Sequence, residues 1–122
     1  MSEPNFIILY ADDVARSAAF YANLLGKPPL EASPTFAMFA LNSGVMLGLW
    51  SRHTVAPGAS AAAGSGELAF ALADDAAVDA LYEQWRTAPL EMVQTPCRLD
   101  FGYTFVALDP DGHRLRVFAP GA

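Results

Sequence analysis

One cysteine, Cys97, occurs in 122 residues, so no disulfide can close within the chain. Lysine and arginine are scarce, seven together against thirteen Asp and Glu, which leaves a formal net charge of −6. Binding to a phosphate backbone draws its affinity from clustered cations, so nucleic acid is not an expected partner. No apolar run approaches the roughly 20 residues needed to cross a bilayer, and the amino terminus lacks the charged, apolar pattern of a signal peptide. A cytoplasmic protein without membrane attachment is the expectation. Histidine is limited to His53 and His113, both placed in turn-rich segments. Neither is a predictable partner for Ser17, Ser43 or Ser51, and Cys97 lies in an apolar stretch that suits an inert thiol, so no catalytic residue is expected. The glycines lack phosphate-loop spacing.

What the sequence does have is apolar residues, 53% of the total, enough for one domain with its own core. The run FIILYA, Phe6 to Ala11, is short and aromatic-rich, as in a buried strand. Asp12 and Asp13 can cap a helix opening at Val14, in which Val14, Ala18, Tyr21 and Leu25 recur at helical spacing, and Gly26 with Pro28 and Pro29 ends it. Strands are predicted at Leu30–Ala32, Phe36–Leu41 and Val45–Trp50. Residues 51–65 form a small, turn-rich linker. The order then repeats. GELAFALA is a strand, Asp74 and Asp75 open a helix to about Arg86, and strands follow at Met92–Arg98, Gly102–Leu108 and Arg114–Phe118. Pro89-Leu90-Glu91 echoes Pro29-Leu30-Glu31. The reading is a single α+β domain over residues 1–122, with one βαβββ module at about 5–50 and a second at about 66–119. The alternative is a chance echo between two helix openings over a ferredoxin-like sandwich.

The segments DDVARSAAFYANLLG and DPDGHRLRVF resemble the vicinal-oxygen-chelate superfamily, the glyoxalase and bleomycin-resistance group, over essentially the whole chain. That resemblance implies two βαβββ modules as curled, cup-like mixed sheets, and a homodimer that completes the site. It also implies four metal-ligand positions, in the first, fourth, fifth and eighth strands, which fall on Phe6, Gly48, Glu67 and Arg116. A phenyl ring, a glycine and a guanidinium cannot ligate a divalent cation, so neither metal nor other cofactor is expected.

A closer likeness is to metal-free phenazine antibiotic-resistance proteins, carried by Trp50-Ser51, Pro34 with Phe36, Phe101-Gly102, Thr104-Phe105, and Glu67 with Arg116. The chain departs from that pattern at Thr35 and Tyr103, neither of them basic. The resemblance implies sequestration of a planar aromatic compound without turnover. On the residues themselves, alternation puts Met46, Gly48 and Trp50 on one strand face, with Gly48 leaving a slot beside the indole. Phe36, Met38, Tyr103 and Phe101 would add apolar contact, although each such aromatic also suits ordinary core or interface packing. Glu67 and Arg116 would face each other as a buried ion pair replacing the metal, with Arg116 free to hold a ligand carboxylate. A metal-independent isomerase or lyase using Glu67 as base is the competing function.

Overall fold

The computed structural model describes residues 2–88 and 90–121. Their internal contacts divide them between Ala61 and Ala62 into two compact units. Each unit contains one βαβββ module: β1 (Phe6–Ala11), α1 (Val14–Leu25), β2 (Glu31–Ala32), β3 (Phe36–Ala40) and β4 (Met46–Ser51), then β5 (Glu67–Ala71), α2 (Asp75–Arg86), β6 (Glu91–Leu99), β7 (Gly102–Leu108) and β8 (Arg114–Pro120). The first sheet has the order β1-β4-β3-β2 and the second β5-β8-β7-β6. In each, the first and last strands of the module pair in parallel and the other neighbours antiparallel. The repeated order read from the sequence is therefore the fold.

The helix starts follow from the aspartate pairs. Asp13 Oδ1 accepts from the Arg16 amide at 3.1 Å, and Asp74 Oδ1 from the Ala77 amide at 2.8 Å, so each satisfies an amide left free at a helix opening. Gly26 closes α1 at φ +71°, its N–H donating to Ala22 O at 3.0 Å. In the first unit α1 packs on β3 and β4, where Ala37, Phe39, Leu47 and Leu49 are fully buried together with Val14, Ser17 and Tyr21 of the helix. In the second, Trp85 of α2 meets Phe70 and Phe105 edge-on at 5.5 Å, and Tyr82 adds to Phe105 at 5.3 Å. Each sheet thus has one face sealed by a helix.

Three boundaries differ from expectation. The second strand is reduced to Glu31–Ala32; Leu30 still donates to Met38 O at 2.7 Å. β6 is longer, Glu91–Leu99, and tolerates Pro96 because it lies at the sheet edge, where a missing N–H leaves no neighbour unpaired. The expected linker also starts late. Ser51 belongs to β4, its Oγ accepts from the His53 amide at 3.2 Å, and Val55 is buried with its N–H on Ser51 O. Pro89 of the second Pro-Leu-Glu triplet lies outside the described residues.

Candidate functional site

Strand register sorts the side chains of the first unit onto two faces. Phe6, Ile8 and Tyr10 of β1 stand opposite Met46, Gly48 and Trp50 of β4, and these stand opposite Ala40, Met38 and Phe36 of β3. All nine share the face turned away from α1. Phe6, Ile8 and Tyr10 are 42, 43 and 41% exposed, and Phe36, Met38 and Trp50 half-buried, so an apolar surface remains open. Trp50 and Phe36 meet edge-to-face, ring centres 6.4 Å apart at 85°. Gly48, Phe36, Met38 and Trp50 are therefore brought together as the strand pattern implied.

The slot over Gly48 is not open, however. A Cβ built there would lie 2.9 Å from Phe36 Cζ and 3.4 Å from Phe6 Cε1. The Phe36 ring occupies the space that the missing side chain leaves, and Gly48 is what lets that ring lie flat on the strand. A planar molecule on this face would rest on the surface that Phe36 and Trp50 form together rather than enter a ready-made gap. Alternation along β4 does not reveal this, because it says nothing of which neighbouring ring leans over a glycine. Phe6, Ile8 and Tyr10 were missed as members of the surface. Their signal was the alternation within FIILYA combined with parallel pairing to β4.

In the second unit the same sorting puts Glu67, Arg114, Arg116, Phe118, Thr104, Val106, Gln94 and Cys97 on the face away from α2. Arg116 grips Glu67 with two hydrogen bonds, Nε to Oε1 at 2.7 Å and Nη2 to Oε2 at 3.0 Å, and donates from Nη1 to Thr104 Oγ1 at 3.2 Å. The expected pair therefore exists, but it is only partly buried, its side chains 16 and 30% exposed. The hydrogen bond from Arg116 holds the Glu67 carboxyl below its ordinary pKa, against an opposing push from burial, with the charges of Arg116 and Arg114 adding to the lowering. Arg114 Nε lies 3.1 Å from Glu67 Oε2, close enough for attraction but not aligned to donate, so that buried Nε has no hydrogen-bond partner.

Phe101, 44% exposed, packs edge-on against Phe118 at 5.8 Å and lies over the Arg116 guanidinium at 5.7 Å. It joins the same face. Tyr103 does not. It alternates with Thr104, so its ring stands on the helix side, where its hydroxyl donates to Asp79 Oδ1 at 2.7 Å and the Arg98 guanidinium covers it at 5.4 Å. The hydrogen bond to Asp79 raises the Tyr103 pKa, with burial and the Asp79 charge adding to it. Arg98 is further engaged by Asp75. Tyr103 is thus a tether between β7 and α2, and the expectation of a ligand contact from it is corrected. Thr104, Phe118, Arg114 and Gln94 join the face without having been expected there.

The four metal-ligand positions carry no usable donor set. Phe6 and Gly48 offer no donor, a phenyl ring fills the space at Gly48, and Glu67 has its two oxygens taken up by Arg116. Among the described residues no group of three or more His, Cys, Asp or Glu side chains converges. A metal does not fit these residues, and no chemical step is derived through one.

The family profile described as "Glyoxalase/Bleomycin resistance protein/Dioxygenase superfamily" matches residues 4–117. The chain is 30% identical, over 93% of its length and 89% of the relative's, to the phenazine antibiotic resistance protein EhpR of Enterobacter agglomerans. A solution structure of a protein from Agrobacterium tumefaciens shares 52% identity at a TM-score of 0.92, with both chains covered in full. A glyoxalase/bleomycin resistance protein/dioxygenase from Nocardioides shares 28% identity at a TM-score of 0.80, over 98% of this chain and 85% of that one. Two βαβββ modules with mixed four-stranded sheets and a profile match across nearly the whole length lead to one conclusion: the chain belongs to the glyoxalase/bleomycin resistance/dioxygenase superfamily.

Proposed function

We propose that the chain is a binding protein that sequesters a planar aromatic compound of the phenazine type without turning it over. The observation that carries this reading is the open apolar face of the first unit, where the edge-to-face pair of Phe36 and Trp50 lies over Gly48 among Phe6, Ile8 and Met38. Such a surface offers a flat molecule stacking and burial together, with roughly 0.5–1.5 kcal/mol per aromatic pair beyond the area term. The similarity to a phenazine antibiotic resistance protein supports the same ligand class. In the second unit, Phe101 and Arg116 supply an exposed ring beside a cation, suited to a polar substituent on such a ligand.

Glu67 is a poor candidate for the base of an isomerase or lyase, because its lowered pKa and twofold grip by Arg116 weaken its hold on a proton. Incubating the protein with phenazine for many hours and extracting the ligand should return it unaltered in full. Conversion of more than one equivalent per chain would replace sequestration by catalysis.

The working unit is proposed to be a cytoplasmic homodimer. Phe6, Ile7, Ile8 and Tyr10 of the edge strand β1 are all 38% exposed or more, an apolar edge that a second copy could cover. Among the described residues no helix is long and apolar enough to cross a membrane. Light scattering at micromolar concentration should give twice the mass of one chain, and the mass of a single chain would contradict the dimer.

A further inference from the structure

Among the described residues, two buried side-chain atoms lack any hydrogen-bond partner, Gln94 Oε1 and Arg114 Nε. Both belong to the second unit and to the same sheet face. Arg114 has the Glu67 carboxylate beside it at 3.1 Å, so its electrostatic need is met. Gln94 has nothing comparable. Native chains pair nearly all buried acceptors, because a carbonyl oxygen stripped of water and given no donor forfeits a full hydrogen bond. Such an exception needs a reason.

The local backbone supplies one. β6 loses step with β7 on both sides of Gln94: Met92 pairs with Ala107, Gln94 with Val106 and Cys97 with Thr104, so the strand carries an extra residue before and after it. Plain alternation from Met92 would give Gln94 the same face as Met92, whose partner Ala107 lies on the helix side. The irregularity instead sets Gln94 opposite Val106, in one row with Arg116. Bulges of this kind re-aim side chains beside binding sites. The neighbouring row holds Thr104 and Phe118, about 7 Å away for two residues along a strand. Phe118 carries the exposed Phe101 ring against it. A tricyclic aromatic on Phe101 therefore has its rim within reach of the Gln94 amide.

We infer that Gln94 is a specificity-determining residue of the second unit's face, its Oε1 accepting a hydrogen bond from a hydroxyl or amino group on the aromatic ligand. This inference rests on the proposed binding of a planar aromatic and adds the class of substituent. The missing partner of Oε1 in the free chain is supplied by the ligand. A substituent that only accepts would leave the oxygen orphaned and meet it as a repulsive neighbour.

The test compares 2-hydroxyphenazine and 2-aminophenazine with 2-methoxyphenazine, titrated by calorimetry into the wild-type protein and into Gln94→Met, which keeps the length of the side chain but has no carbonyl. One hydrogen bond is worth about 1 kcal/mol net, so wild type should bind the two donors roughly five- to ten-fold more tightly than the methoxy compound. Gln94→Met should abolish that preference and leave methoxy affinity unchanged. Its melting temperature without ligand should be equal or higher, because an unsatisfied buried acceptor has been removed. If all three phenazines bind wild type alike, or the methoxy compound binds best, the inference fails and aromatic binding stands. If none binds, the proposed function fails and takes this inference with it. A preference that survives Gln94→Met assigns the donor to another residue and also overturns it.

Discussion

Arg116→Met should destabilise the folded chain by about 1–2 kcal/mol, between the range for exposed ion pairs and the 3–5 kcal/mol typical of a charge left unpaired in a core. The intermediate figure follows from geometry. Glu67 is 30% exposed, and Arg114 remains 3.1 Å from its carboxylate, so removing Arg116 does not isolate the charge. The lost groups are two aligned hydrogen bonds, the bond to Thr104 Oγ1 and the contact with Phe101. Glu67→Leu combined with Arg116→Met should cost less than the sum of the single changes, by roughly 1 kcal/mol in denaturant titrations. Strict additivity would show that the two side chains do not depend on each other.

The pair also fixes a pH dependence. Glu67 has a folded-state pKa below its ordinary value of 4.5, so its stabilising contribution is complete above that value. It is lost as the pH falls through the lowered folded-state pKa. The stability difference between wild type and Arg116→Met should therefore be constant near neutrality and shrink in acid below 4.5.

Much of the fold was legible because its signals are local. The aspartates before Val14 and Ala76 cap helices through contacts spanning three residues, and Gly26 meets a backbone requirement that few other residues satisfy. The duplicated order of strands and helices then selects the topology. The candidate site was less legible because its faces depend on pairing across strands. Trp50, Gly48, Met38 and Phe36 come together as strand alternation and register require. Tyr103 was misplaced because its face is set by Thr104 bonding to Arg116 on β8, a contact between residues 12 apart. Gln94 was hidden by the irregular pairing of β6, which breaks the period on which alternation relies. The filling of the Gly48 space by Phe36 is a matter of rotamer, which no spacing encodes.

The central claim is that the Trp50 face holds a planar aromatic ligand, and titration with a small panel of phenazines and quinolines, read by tryptophan fluorescence and calorimetry, tests it most directly. Trp85 is the internal control, since it is 5% exposed and enclosed by Phe70 and Phe105. Binding should quench Trp50 emission and leave that of Trp85 nearly unchanged. A micromolar complex holds about 8 kcal/mol, and one aromatic wall contributes roughly 1–3 kcal/mol, so Trp50→Ala should weaken binding by about one to two decades. Trp50→Phe should fall between. Because Trp50 is only half-buried, the loss of its edge contact with Phe36 should lower stability by no more than about 1.5 kcal/mol, and melting curves separate that from the binding effect. At least one panel compound should bind wild type with quenching and bind Trp50→Ala ten-fold or more weakly; no binding to wild type, or equal affinity for Trp50→Ala, would contradict the claim.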